Sequence, residues 1–467
     1  MRKISILLFL LTAVSTFSRS QNLDDYLIQA GENNPELQAY YHEYLASLEK
    51  APQVGSLPDP ELSMGIFFSP MERWMGNQVA DLKLMQMFPW FGTLGVKKEE
   101  ANLMAHAKYQ VFLDAKNKLF YQVKSTYYEL YQTQEEIEIN QENLEYLKEY
   151  ERLALVKFKS SSTPGATSSS MPQPAMNAST SSSASGMGSM NGSQANRAPV
   201  GNPGMASVGG MTSSGTGMSD ILRIRMQVKE LESTIASQKD RLIPLQIKFN
   251  QLLNRDINSP ISNLDSLEST SLIWDKMVLL DSITSQNPML AMYDTEMEVL
   301  DQQEKMARLD GRPMFGAGVD YMPFQPRLES GMSMGGRNMV MPMVTMTLPI
   351  YRKKTNSKLK ETDYLREATL LRKEKEENML AMQWANAIRD LEDANRNIVL
   401  YDEQSKLAEQ TLSLLLTSFS SDGQEMEEVL RVNQQLLNYR LQRMIAIVQQ
   451  HKSLALLESL GSESSLN

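Results

Sequence analysis

The chain has 467 residues and a formal net charge of −10, with 42% hydrophobic and 22% charged residues. This length allows two or three domains, and the negative charge argues against a nucleic-acid partner. The absence of cysteine excludes a disulfide framework, and it also excludes a lipid attached to a cysteine behind a signal peptide.

Residues 1–20 have the pattern of a signal peptide. Arg2 and Lys3 precede an apolar run over 4–17, and small residues follow at Ser18 and Ser20. The apolar run is too short for a spanning helix, and no later stretch approaches the roughly 20 apolar residues that a membrane helix needs. We therefore expect the mature chain to be exported and any membrane anchoring to come from its fold.

Residues 21–254 are predicted to form a first structural repeat. Its elements are a helix over 23–53, a β-hairpin over 59–90, a long helix over 93–159, a disordered insertion over 160–217 and a return helix over 220–254. In the long helix, residues such as Leu119, Val123 and Leu130 recur at spacings of three and four, which is typical of a coiled-coil seam. Pro244 inside the return helix predicts a kink.

The insertion over 160–217 consists almost entirely of Ser, Gly, Ala, Pro, Thr, Asn and Met. A segment of such low complexity and low charge cannot bury a core, so its composition predicts disorder. The equivalent turn in the second half covers only 418–423, so the insertion extends the tip of a helical hairpin. A tolerated loop insertion without a role is the simplest interpretation.

Residues 276–467 repeat the first half behind a linker over 255–275. The predicted elements are a helix over 276–309, a β-hairpin over 312–350, a long helix over 352–417, a tip over 418–423 and a return helix over 424–460. The Asn-Pro pairs at 34–35 and 287–288 align at an offset that also aligns the two hairpins. The chain is thus predicted to be a tandem duplication.

Each hairpin is predicted to contain two strands with an apolar face and a polar or small face, joined by a loop over 69–77 or 322–337. The candidates for the polar, channel-facing side are Asp81, Lys83, Met85, Met87, Met341 and Met343. Such alternation over about ten residues, in an exported chain, predicts an outer-membrane β-barrel. Four strands cannot close, and open edges in lipid are costly, so several copies must combine their strands. A soluble sheet packed on helices is the alternative.

The order of these elements closely resembles the TolC-like outer-membrane efflux protein family over essentially the whole mature chain. The resemblance is carried by Asn-Pro-Glu-Leu at 34–37, Asn-Pro-Met-Leu at 287–290, the closings after Pro89 and Pro349, Asp-Ile-Leu at 220–222 and Glu-Val-Leu at 428–430. It implies a mixed, mainly α fold and a homotrimer. Four strands per chain would form a twelve-stranded transmembrane β-barrel in outer-membrane lipid, and the duplicated helical hairpins would form a periplasmic α-barrel.

The resemblance also implies a function and its partners. Such proteins are exit ducts that dock on a periplasmic adaptor and an inner-membrane pump, and the insertion would lie at the end where adaptors dock. The family carries two acidic gate residues at the start of the second return helix. Glu428 matches the first, Arg431 stands at the second, and Asp220 opens the first return helix. Acids that only complement the helix dipole are the alternative interpretation.

No enzymatic signature is present. His42, His106 and His451 are far apart, and no nucleophile triad, metal-binding histidine pair or phosphate loop occurs, so we expect no catalysis and no cofactor. Two functions remain: an outer-membrane duct extending into the periplasm, and a periplasmic structural coiled-coil protein without a conduit. Drug, protein and metal export all use such ducts.

Methionine suggests a cargo for the duct. The chain has 32 Met, of which seven lie in or beside the insertion: Met171, Met176, Met187, Met190, Met205, Met211 and Met218. Eight more occur between Met314 and Met346. Thioethers are soft ligands that select Cu(I) and, by the same softness, Ag(I). General small-molecule efflux remains the leading interpretation, because Met also serves as a flexible filler.

Overall fold

The computed structural model describes residues 22–161, 218–261, 264–270, 275–329, 332–420 and 426–461. In these residues the chain forms nine α-helices and six β-strands. The helices are α1 (Leu23–Asn33), α2 (Pro35–Leu48), α3 (Lys50–Val54), α4 (Thr93–Ser161), α5 (Met218–Leu252), α6 (Lys276–Gln286), α7 (Pro288–Asp310), α8 (Arg352–Ser420) and α9 (Met426–Leu460). The strands are β1 (Glu61–Arg73), β2 (Gly76–Phe88), β3 (Met314–Met322), β4 (Phe324–Glu329), β5 (Met332–Gly335) and β6 (Met339–Thr347). The predicted signal peptide and residues 162–217 of the predicted insertion lie outside the described residues.

The chain divides into two compact units. The first comprises Met1–Ile139, Ile235–Ser405 and Asn438–Asn467, and it contains the whole sheet. The second comprises Asn140–Thr234 and Lys406–Leu437, and its described parts are helical. The predicted mixed, mainly α fold class is confirmed. None of the described helices combines the length and the apolarity needed to cross a lipid bilayer.

The two opening helices differ from the prediction, because each is interrupted at its Asn-Pro pair. Proline cannot donate the backbone hydrogen bond that would continue a helix, but it suits the first position of a new one. Asn34 separates α1 from α2, and its Oδ1 accepts from the backbone N–H groups of Glu36 (3.0 Å) and Leu37 (3.1 Å). Asn287 caps α7 in the same way through its Oδ1.

The same two asparagines also bind the ends of the return helices. Asn34 Nδ2 donates to the carbonyl of Leu252 (3.1 Å), and Asn287 Nδ2 donates to the carbonyl of Leu460 (2.8 Å). A helix leaves its last carbonyls without partners inside the helix, so both contacts satisfy groups that are otherwise unpaired. Each half therefore joins its opening helices to its return helix through one asparagine.

The long helices match in length between the halves. Helices α4 and α8 have 69 residues each, and α5 and α9 have 35 each. Helix α5 runs through Pro244 and ends at Leu252, two residues before its predicted end. The predicted seam of α4 is buried: Val123 is 0% exposed and Leu130 is 2% exposed.

The main core of the first unit lies between α1, α4, α5 and α9. Tyr26, Tyr127 and Phe249 are at most 2% exposed, and the rings of Tyr26 and Phe249 meet edge to face with centroids 5.0 Å apart. The described part of the linker crosses this core. There Leu267 packs against it, and the Asp265 N–H donates to the Tyr127 hydroxyl at 3.0 Å.

The strands form one antiparallel sheet in which β2 lies beside β1 and β3, and β6 lies beside β3. The hairpin loops differ from the prediction. The first two strands extend to a turn at Trp74 and Met75, and the second loop folds into β4 and β5. Glycine explains both differences: Gly76, Gly335 and Gly336 have positive φ, which permits tight turns where composition suggested irregular loops. A side chain at Gly76 would collide with the Gln325 carbonyl.

Candidate functional site

One face of the sheet is apolar and exposed. Its exposed large side chains include Tyr321 at 38%, Val319 at 46% and Phe68 at 99% exposure. The register aligns Leu62, Leu84 and Val319 in one row across three strands, and Met64, Leu82, Tyr321 and Val340 in the next. A monomeric soluble protein rarely exposes such a continuous apolar patch, so this face requires a cover of lipid or protein.

The opposite face carries the predicted channel-facing residues. The register places Met85, Gly318 and Met343 in one row, and Lys83, Asp320 and Met341 in the next. Met87 lies opposite Gly316 and Thr345. The structure thus brings five of the six candidates onto adjoining rows. The sixth, Asp81, lies two residues before Lys83 on the same face of β2. That this face lines a channel stays a prediction.

One polar residue of this face was not singled out from the sequence: Asp320 is 6% exposed and lies opposite Lys83. Gln78, in the part of β2 that pairs with β4, is 1% exposed. Among the described residues, no hydrogen bond reaches Asp320 Oδ1, Asp81 Oδ1 or Gln78 Oε1. Strand alternation places Asp320 on the opposite face of β3 from its apolar neighbours Val319 and Tyr321. The sequence pattern could therefore have assigned Asp320 to the polar face.

The gate candidates lie at the starts of α5 and α9 in the second unit. Glu428 and Arg431 are one helical turn apart and form a double hydrogen bond, with Arg431 Nε to Glu428 Oε2 at 3.1 Å and a second contact from Nη2 to Oε1. The bond from Arg431 holds the pKa of Glu428 below its usual value. The carboxylate therefore carries its charge beside a matched positive charge.

The first return helix opens with a different arrangement. Asp220 is partly buried, and Ile221 behind it is fully buried. Arg223 pairs with another helix: its Nη1 lies 2.5 Å from Oε2 of Glu427 on α9. This ion pair links the two return helices. The sequence shows both residues but carries no signal that they meet.

The remaining candidates are dispersed. Met218 begins α5 and is 50% exposed, while the other six methionines of the insertion region lie outside the described residues. His106 Nδ1 lies 3.3 Å from the Thr295 hydroxyl, and His451 Nε2 lies 2.8 Å from the Glu268 carbonyl. In the described parts of the chain, no three His, Asp or Glu side chains converge as metal ligands.

Comparisons with known proteins identify the fold. No family model and no curated protein matches the sequence. The outer-membrane channel OprN matches with a TM-score of 0.68 and 14% identity, covering 94% of this chain and 89% of OprN. CusC, described for its folding and transmembrane channel formation, gives 0.69 and 12% with coverages of 96% and 94%. The CmeC outer membrane channel of Campylobacter jejuni gives 0.67 and 12% with coverages of 95% and 87%.

These similarities extend over nearly the whole chain. At identities of 12% to 14% they show a shared fold. The fold is the one expected from the resemblance to TolC-like channels, with duplicated long helices and a small antiparallel sheet. The recognition from sequence is therefore confirmed for the fold.

Proposed function

We propose that this chain, which shares the fold of outer-membrane channels, is the exit duct of a tripartite efflux or secretion system. It would lie in the outer membrane, extend into the periplasm, and pass substrates from a periplasmic adaptor and an inner-membrane pump to the exterior. Passing a substrate through a duct requires no chemical reaction at a protein side chain.

The observation that carries the proposal is the sheet. Its apolar face is exposed, and its long edge strands are unpaired on one side: in the described residues β1 pairs only with β2, and β6 only with β3. An unpaired edge in lipid leaves backbone groups unsatisfied at several kcal/mol each. Strands of further copies would satisfy both edges and leave the apolar face towards lipid.

The proposed assembly is a homotrimer. Four long strands per chain, β1, β2, β3 and β6, give twelve strands in three copies, as in the barrel that the resemblance implies. Closure of the barrel would join β1 of one copy to β6 of the next. The adaptor and the pump are proposed from the same resemblance.

The test is fractionation of cells followed by measurements on the purified protein. We expect a heat-modifiable trimer in the outer-membrane fraction, and stepwise conductance when it is added to a planar bilayer. A monomer released with the soluble periplasmic proteins, without conductance, would contradict the duct and favour the structural coiled-coil protein instead.

We also propose a more specific cargo than small molecules in general, namely soft monovalent metal ions. This proposal is supported by the seven methionines in or beside the insertion and by the methionines on the polar face of the sheet. Methionine needs no deprotonation to bind Cu(I) or Ag(I).

A tolerance assay tests the cargo. A strain whose protein carries Leu at the seven insertion-region methionines should lose copper and silver tolerance while keeping tolerance to organic compounds. Equal amounts of outer-membrane trimer in both strains provide the control. Unchanged metal tolerance would show that these methionines do not serve metal export.

A further inference from the structure

Two glycines leave a gap on the polar face of the sheet, and methionine sulfurs enter it. Gly316 lies between Met87 on β2 and Thr345 on β6, and Gly318 lies between Met85 and Met343 in the adjoining row. A β carbon on Gly316 would lie 2.7 Å from Met87 Sδ and 3.3 Å from Met85 Sδ. Both sulfurs are therefore close neighbours over a residue without a side chain.

The Thr345 hydroxyl lies beside the sulfurs of Met85 and Met87. Its Oγ1 lies 3.7 Å from Met85 Sδ and 4.0 Å from Met87 Sδ, so its single proton can be donated to either sulfur. Met85 is 7% exposed, which holds its side chain in place. Met343 lies across Gly318 from Met85 on the same face, and its unbranched side chain has three rotatable bonds.

We propose that Met85, Met87 and Met343, with the Thr345 hydroxyl beside them, form a binding site for a soft monovalent cation of the Ag(I) or Cu(I) class. The proposal rests on the function proposed above, because it gives the duct a site for its cargo. Binding forms sulfur–metal bonds without proton release or electron transfer, and the threonine hydroxyl gives up its contacts to the sulfurs.

The chemistry of the surroundings favours a soft ion over a hard one. Three thioethers suit Cu(I) and Ag(I), whereas Mg²⁺ and Ca²⁺ require several oxygen ligands. Glu61 on β1 lies opposite Met85 in the register and is exposed. Its charge attracts a cation to the row. A filler role would be met equally well by leucine, which offers no lone pair to a metal.

Oxidative footprinting of the intact trimer tests the site without a substitution. The purified full-length protein is treated with hydrogen peroxide in chloride-free buffer, with and without silver nitrate, and sulfoxide is measured by mass spectrometry. With Ag(I) at about ten times its Kd, we expect oxidation of Met85 and Met87 to slow about tenfold. Met64 and Met346, on the apolar face of the same sheet, serve as controls and should oxidise at unchanged rates.

A titration provides the second measurement. In protein whose seven insertion-region methionines are Leu, we expect Met85→Leu/Met87→Leu to lose one Ag(I) equivalent per chain, and Met64→Leu/Met346→Leu to keep it. Equal silver binding in both variants, or no selective protection of Met85 and Met87, would overturn the site. Planar-bilayer conductance separates the two proposals: a conducting channel without the silver site overturns only the site, and an absent conductance in the parent overturns the duct.

Discussion

At the residue scale, one asparagine in each half performs two tasks. Asn34 accepts two N–H groups at the start of α2 and donates to the end of α5, and Asn287 does the same between α7 and α9. Both side chains are buried, at 7% and 5% exposure, so water cannot replace the lost partners. Each asparagine therefore stabilises a junction of three helices.

We predict that Asn34→Ala lowers the free energy of unfolding by about 1–2 kcal/mol, because it removes a helix cap and one buried donor. Asn34→Ser should recover about half, since a serine hydroxyl caps the helix but does not reach the Leu252 carbonyl. Thermal unfolding followed by circular dichroism measures both. Equal stability of the alanine and serine variants would show that the contact to Leu252, and not the cap, supplies the stabilisation.

The Glu428–Arg431 pair leads to a prediction about conductance. Because Arg431 neutralises the carboxylate within its own helix, three copies at a channel entrance would present little net charge. Arg431→Gln should expose three carboxylates and increase the block of conductance by divalent cations, more strongly at low salt. Glu428→Gln should reduce the block.

The control for this pair is Glu145→Gln, which removes an exposed carboxylate from α4 and should leave the block unchanged. The comparison is made in planar bilayers at two ionic strengths. If Arg431→Gln and Glu428→Gln both leave the block unchanged, the pair lies away from the conducting path, and Glu428 then serves only the helix N-terminus.

At the element scale, the sheet is defined by its two unlike faces. Val344, at 82% exposure, lies in the middle of β6 on the apolar face, and Met341 lies on the polar face of the same strand. We predict that Val344→Arg destabilises the assembled barrel by about 2–4 kcal/mol per chain, because arginine is costly near the middle of a bilayer. Met341→Arg should assemble as the parent does.

The amounts of heat-modifiable trimer in the outer-membrane fraction measure this difference. The two substitutions introduce the same side chain into the same strand, so they differ only in the face that receives it. Equal yields of trimer would contradict lipid cover of the apolar face at Val344.

The elements differ in how well the sequence predicts them. The seam of α4 is a local pattern, so Leu119, Val123 and Leu130 could be assigned to it, and all three are buried. Strands β4 and β5 could not be predicted, because they occur in a loop without alternation and because β4 depends on pairing with Asn77 and Gln78 of β2. Their stability comes from contacts distant in sequence.

The candidate metal site shows the same limit. Alternation along β2 and along β6 assigned Met85, Met87 and Met343 to the polar face. It could not show that the sulfurs of Met85 and Met87 meet at Thr345, because that depends on the register of three strands. The two glycines between them become meaningful only when that register is known.

At the scale of the whole molecule, the long helices and return helices of the two halves match in length, and the connections between them differ. Helices α4 and α8 have equal lengths, as do α5 and α9, yet residues 162–217 separate α4 from α5 where five residues separate α8 from α9. In the second unit, α4 and α5 contact each other through residues that lie outside the 162–217 segment. Ala154, Ile221 and Ile224 are fully buried there, and Arg225 Nε lies 2.6 Å from Glu151 Oε1.

We therefore predict that deleting residues 162–216 and joining the ends through a short Gly-containing turn leaves the trimer intact. For a segment that is disordered, as its composition predicts, shortening the loop about eightfold is roughly three halvings of its length, and each halving lowers the entropic cost of loop closure by about 0.6 kcal/mol. Each chain should therefore gain about 2 kcal/mol in the free energy of unfolding. Heat-modifiability on gels and thermal unfolding measure the two effects.

The matched control carries the same 55 residues in scrambled order and should behave as the parent. Loss of the trimer in the deletion but not in the scrambled control would mean that the tip needs the length of the segment. Loss in both would mean that its sequence is ordered and contributes to assembly.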